Sequence, residues 1–155
     1  MANNYRQFSE AIQGITPDEE RWLKAVLQQY EETAQSPEQA AFLKEVGAEF
    51  ENLEHFPNFG WRFDRDGGNT ALWLYSEECG DVEELSQVVG AFLKKFRPHA
   101  CFALTWADWC SKLRVGEFSG GGVFITAKEI LYMEAQDWAR TLTEKFKEQK
   151  GEKKA

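Results

Sequence analysis

The chain has 155 residues, enough for one well-filled core and short for two domains. Its 43% hydrophobic and 28% charged residues exclude a disordered or membrane-embedded composition. The formal net charge of −8, from 26 acids against 18 bases, argues against duplex nucleic-acid binding, which needs a cationic surface. The excess is local: residues 1–60 carry 11 acids and 4 bases, whereas residues 101–155 carry 8 and 9. The start, Met-Ala-Asn-Asn-Tyr-Arg, lacks the apolar run of a secretory signal, and the longest uncharged stretch, around Pro98–Ala107, is too short to span a bilayer. Cys79, Cys101 and Cys110 are odd in number and lack CxxC spacing, so they read as free thiols in a reducing, cytoplasmic setting. Two histidines, His55 and His99, give little basis for a zinc site or a histidine acid–base pair. No catalytic residue, metal ligand or cofactor is assigned.

In chain order, Tyr5–Ile12 reads as a short first helix. Thr16-Pro17-Asp18-Glu19 is a helix start, with a capping Thr, Pro at the first helical position and acids at the positive end of the dipole. Trp22, Leu23, Val26, Leu27 and Tyr30 make its apolar stripe. Ser36-Pro37-Glu38 repeats the start, and Phe42, Leu43, Val46, Phe50 and Leu53 continue to about His55 unless Gly47 breaks the helix. After Phe56–Gly60 the period changes to two. Trp61 and Phe63, the turn Asp66-Gly67-Gly68-Asn69, and Ala71–Tyr75 form a hairpin, with Leu72 and Leu74 on one face and Trp73 and Tyr75 on the other. Asp81 caps a helix whose stripe runs from Val82 to Phe96 and which Pro98 ends. Cys101–Trp106 is a strand, Asp108–Ser119 a polar stretch, and Gly120–Thr126 another strand. Glu129–Met133 is either a fifth, edge strand or part of one long helix capped at Thr126. Trp138, Leu142 and Phe146 mark a terminal helix, and the chain from about Glu148 reads as a frayed tail.

The expected fold is therefore α+β and a single domain over 1–155. N-terminal helices (1–56) precede a ββαββ(β)α part (60–147), an antiparallel sheet with helices on one face, in ferredoxin-like logic.

Three polar segments interrupt the core pattern and could converge at a sheet edge: 76–81, 108–114 and 117–122. Glu77, Glu78, Asp81, Asp108 and Glu117 could serve acid–base chemistry or oxygen-ligated cations, though simple caps and solvated loop charges explain them more economically. Cys110 has Lys112 and Arg114 nearby, which would lower a thiol's pKa, but a small packed cysteine is the plainer reading. Gly120, Gly121 and Gly122 read as a bulge or a sharp turn into the strand rather than a phosphate cradle, because Gly-Lys-Ser/Thr is absent. Trp109 is the suspicious aromatic, placed where no core position is required.

The segments Leu-Trp-Leu-Tyr-Ser-Glu-Glu-Cys-Gly-Asp (72–81), Phe-Leu-Lys-Lys-Phe-Arg-Pro (92–98), Leu-Thr-Trp-Ala-Asp-Trp-Cys-Ser-Lys (104–112) and Gly-Glu-Phe-Ser-Gly-Gly-Gly (116–122) resemble a group of small uncharacterised proteins of bacterial genomes, phages and plasmids. The resemblance covers about a third of the chain and implies a bacterial or phage setting, with no activity attached. The reading is a non-enzymatic protein-interaction module that meets another protein through the 76–81/108–122 surface or an exposed edge strand. A narrower version is an acidic inhibitor that masks a nucleic-acid-binding surface with Glu31, Glu32, Glu38 and Glu45 on a helical face. The alternative is a small enzyme or small-molecule-binding domain with a carboxylate/Arg/Cys site built from Glu77, Glu78, Asp108, Cys110 and Arg114.

Overall fold

Each of the first three helices begins where a side chain satisfies its free N–H groups. The computed structural model describes residues 2–154. In α1 (Pro17–Leu27) Thr16 accepts from the Glu19 amide and Glu19 from the Thr16 amide, a complete capping box. Ser36 caps α2 (Pro37–Val46), and Asp81 caps α3 (Val82–Phe96). The second helix stops at Gly47, and two 3-10 turns, Gly47–Glu49 and Leu53–His55, carry the chain to the sheet.

The strands are β1 (Asn4–Ile12), β2 (Gly60–Asp66), β3 (Asn69–Ser76), β4 (Cys101–Cys110), β5 (Ser119–Thr126) and β6 (Ile130–Glu134), followed by α4 (Ala135–Lys154). They form one sheet in the order β2-β3-β1-β4-β5-β6, with every neighbouring pair antiparallel. Up to β4 this is the split β-α-β arrangement, in which β3 lies between β1 and β2 and β1 between β3 and β4. The last hairpin widens the sheet by two strands.

The expected helix at Tyr5–Ile12 is wrong: this segment is β1, inside the sheet. Phe8 and Ile12 point into the core at period two, while Gln7, Ser9 and Ala11 occupy the other face. Because that face is uncharged but not strongly apolar, the alternation has little contrast. The first half of β1 pairs with β4 (Asn4↔Cys110 to Gln7↔Ala107) and the second half with β3 (Phe8↔Ser76 to Ile12↔Leu72). Strand β4 also runs on past Trp106, so Asp108, Trp109 and Cys110 are strand residues rather than loop. Glu129–Met133 resolves as the edge strand β6. Helix α4 extends through Lys154, and Ala155 lies outside the described residues.

The core lies between one sheet face and α1–α3. Leu23, Val26 and Leu27 of α1, Phe42 of α2, and Leu85, Val88 and Phe92 of α3 pack against Leu72, Leu74, Leu104 and Ile125. Each such fully buried side chain contributes roughly 1.5–3 kcal/mol. Polar groups within this layer are paired. The Gln39 amide, fully buried, donates to the carbonyls of Val26 (3.0 Å) and Gln28 (2.7 Å), tying α2 to the end of α1. Arg97 clamps Glu19 through Nε–Oε2 (2.9 Å) and Nη2–Oε1 (3.0 Å), joining the end of α3 to the start of α1. Glu84, fully buried, accepts from the backbone (2.9 Å) and side-chain (2.7 Å) N–H groups of Asn58 and so fixes the approach to β2. Among the described residues no helix is long and apolar enough to cross a membrane.

Candidate functional site

Cross-strand partners in an antiparallel ladder share a face, so the registers define what the sheet presents away from the helices. Tyr5, Gln7, Ser9 and Ala11 come from β1, and Trp73 and Tyr75 from β3. Strand β4 adds Ala103, Thr105, Ala107 and Trp109, β5 adds Gly120, Gly122 and Phe124, and β6 adds Leu131 and Met133. Five of the six strands place no charged side chain on this face, in a chain that is 28% charged. Only β2 carries charge there, as Arg62, Asp64 and Asp66, and Arg62 pairs with Asp64 at 2.8 Å.

The rings on this face are held in place. Trp73 stacks on Tyr75 with centroids 4.0 Å apart, and Tyr5 on Trp109 at 4.4 Å. The Trp73 indole N–H donates to Ser9 Oγ (2.8 Å) and that of Trp109 to Gln7 Oε1 (3.0 Å). Between the two stacks and the apolar edge of Phe124 (41% exposed) and Leu131 (53%) runs a floor of small side chains. Trp109 thus has its explanation: it is a face residue of β4, locked against Tyr5 at the rim where the polar segments meet.

Those segments do converge, at the joined ends of β1 and β4 in the middle of the sheet rather than at its edge. A cavity of about 460 Å³ is lined there by Glu78, Cys79, Asp108, Trp109 and Glu117, together with Tyr5 and Arg6. Arg6 grips Asp108 with two hydrogen bonds (Nε–Oδ1 2.8 Å, Nη2–Oδ2 3.1 Å) and lies over the Trp106 ring at 5.2 Å. The Trp106 indole also donates to Asp108 (3.3 Å). Hydrogen bonding to Asp108 holds the Arg6 guanidinium above its ordinary pKa. Asp108 is therefore an anchored partner of Arg6, with little freedom to act as a base.

The other candidates separate. Asp81 caps α3 and is not among the residues that line the cavity. Glu77 receives the Gln7 side-chain amide on its carbonyl, and its side chain borders a different hollow with Asn58 and Gly60. Cys110 is buried on the helix side of β4, 3% exposed, and His99 precedes the opposite end of that ten-residue strand, so the two cannot form a nucleophile–base pair. Lys112 and Arg114 stand exposed in the β4–β5 loop, alternating with Leu113 (96%) and Val115 (102%). Gly120, Gly121 and Gly122 are neither a bulge nor a ligand cradle. They pair regularly with Ala107, Trp106 and Thr105, and a Cβ on Gly121 would collide with the Trp106 ring and the Met133 carbonyl. Gly121 is there to let the Trp106 indole lie on β5. The four acids do not form one helical face: Glu31 and Glu32 lie between α1 and α2, Glu38 opens α2, and Glu45 near its end reaches Lys94 at 3.9 Å.

The sequence alone does not single out Tyr5, Arg6 and Gln7, because it reads as a helix where β1 lies. The period-two placement of Arg6, Phe8 and Ile12 was the available signal. Among the described residues, no three His, Cys, Asp or Glu side chains stand where they could share a metal ion. No family model, curated protein or solved structure matches the chain.

Proposed function

We propose that the protein is a non-enzymatic interaction module that docks a partner protein on its open sheet face, with the exposed β4–β5 loop at the rim. The observation that carries this reading is the absence of charge from five strands of an exposed face. Depletion of charge at the centre, with aromatic side chains fixed in place, is the composition of an interface core. Pre-positioned rings lose little side-chain entropy on association. Five of its strands offer no cation to a nucleic-acid backbone, and Arg62 on β2 is paired with Asp64. At the rim, Leu113 and Val115 alternate with Lys112 and Arg114 and add an apolar and cationic contact suited to an acidic protein edge.

The test places charge at the centre. Thr105→Lys and Ala107→Glu are both on exposed positions of β4, and the fold should tolerate them within about 1 kcal/mol. The protein that copurifies with tagged wild-type chain should be lost from both variants and retained by an exposed control on the helix side, Glu51→Lys. Retention by Thr105→Lys and Ala107→Glu overturns the reading.

One observation favours a second reading, a small-molecule site: in the cavity beside Arg6, Glu117 Oε2 is buried without a hydrogen-bond partner. A cationic ligand that stabilises wild type but not Glu117→Gln would support it.

A further inference from the structure

The open sheet face is a trough rather than a plane. On β3, Trp73 is backed by the Arg62 guanidinium, 4.6 Å from its ring, and tied to Ser9 by its indole N–H. Tyr75 leans outward over Gly60 of β2, where a Cβ would collide with its ring. Opposite, Phe124, Leu131 and Met133 stand exposed on β5 and β6. Between these two walls the floor is made of Ser9, Ala11, Ala103, Thr105, Ala107 and Gly122. No bulky side chain leans over it at β5: a Cβ on Gly122 would meet only the Leu104 carbonyl (3.5 Å) and the Thr105 methyl (3.6 Å). The Tyr5–Trp109 stack closes one end.

We infer that this trough seats a single α-helix of the partner protein, laid along β1 and β4 with an uncharged apolar stripe on the floor. The inference rests on the docking reading above and names the shape of what docks. Four properties select the occupant. The first is size. Strands β3 and β5 lie three strand spacings apart, about 14 Å, which admits one helix of about 10–12 Å across its side chains. From Trp109 to Ala103 the floor runs about 20 Å along β4, room for about 13 helical residues. The second is relief. A flat sheet would rest on the walls and leave the floor empty, forfeiting the contacts there, whereas a convex rod reaches the floor. The third is hydrogen bonding. Gln7 and Ser9 already accept from the two indoles, and the Gln7 amide donates to the Glu77 carbonyl. A strand or hairpin lying in the trough would therefore bury unpaired backbone groups along its edges. A helix arrives with its interior N–H and C=O groups already paired. The fourth is charge. No charged side chain projects from these five strands, so a charged group in the stripe would be desolvated without a partner.

The test is selection of displayed random peptides of about 16 residues on the immobilised full chain, with binding of the selected peptides then measured in solution. Peptides retained by wild type should carry apolar residues at i, i+3 or i+4, and i+7, with no charge on that stripe, and should gain helical circular dichroism on binding. Thr105→Trp and Ala107→Trp raise the floor with apolar bulk and add no charge, so each should bind these peptides about tenfold or more weakly, while Glu51→Lys binds as wild type does. Thermal melting checks that both tryptophan variants fold, and either one alone carries the comparison. Peptides with apolar residues at period two, no enriched peptides, or helical peptides that bind Thr105→Trp as tightly as wild type overturn the inference. Self-association of wild type that Thr105→Trp abolishes would give the trough to a second copy and also overturn it. The docking reading is judged separately: loss of the copurifying protein from Thr105→Lys sustains it even where the selected peptides are extended, and retention refutes both.

Discussion

Arg97→Ala removes the cation that lets Glu19 be buried. The Glu19 side chain is 6% exposed and that of Arg97 28%. Arg97 gives the carboxylate two hydrogen bonds and sends a third to the Gly14 carbonyl (3.0 Å). Without the guanidinium, Glu19 keeps only the Thr16 amide (2.9 Å) as a donor to its carboxylate. Breaking one side of a buried pair costs about 3–5 kcal/mol, because an uncompensated charge stays behind. That is a large share of the roughly 5–15 kcal/mol that stabilises a domain. In urea denaturation with a slope near 2 kcal/mol/M, the midpoint should fall by about 1.5–2.5 M. The pH dependence separates this from loss of packing. Burial works to raise the Glu19 pKa, but the hydrogen bonds from Arg97 and Thr16 outweigh it and hold the group below its ordinary value. Its stabilisation is therefore present above the unfolded-state pKa of about 4.3 and lost as pH falls through the lower folded value. The gap between wild type and Arg97→Ala should be full at neutral pH and narrow below about pH 4, where the stranded carboxyl is protonated. Adding Glu19→Gln to Arg97→Ala should recover much of the loss at neutral pH, since Gln can still complete the capping box. A cost below about 1 kcal/mol, or a gap that does not change with pH, would refute the assignment.

Burial pushes the Glu84 carboxyl up to about 7, against the two Asn58 donors that favour its ionised form. Its folded pKa lies above the unfolded one, so stability from this group is full below about pH 4.3 and declines as pH rises through 7; melting temperatures between pH 5 and 8 should fall in wild type and stay flatter in Glu84→Gln. Gly121→Ala should cost about 1–3 kcal/mol in chemical denaturation, because the Met133 carbonyl it meets is backbone and cannot give way as a flexible side chain could. A thiol reagent should label Cys79 and Cys101 in the native protein and Cys110 only on unfolding, since the first two are exposed and the third is buried. Three fast-reacting thiols would contradict the placement of Cys110 inside β4.

The parts of the fold that could be read from residues are those where local signals agree. Thr16, Ser36 and Asp81 mark helix starts whose stripes follow at once, and the turn Asp66–Asn69 sits between two alternating runs. Strand β1 lacks that agreement. Its outer residues Gln7, Ser9 and Ala11 are neither charged nor strongly apolar, so period two and period 3.6 fit almost equally well. The end of β4 was hidden by Asp108, a carboxylate on the core side of the sheet, which makes sense only once Arg6 is known to lie across from it. Convergence of 76–81 with 108–117 was legible because antiparallel strands bring their ends together. That the surface beside them is the uncharged one was not, since its residues are spread over five strands and only the registers collect them on one face.

The most direct measurement of the central claim is photo-crosslinking in cells, with a photoreactive amino acid placed at Thr105 or Ala107 on the open face and, as a control, at Glu51 on the helix side. The account predicts one defined adduct with a different protein from the two sheet positions and none from Glu51. Adducts that are absent from Thr105 and Ala107, or that appear equally from Glu51, would contradict it.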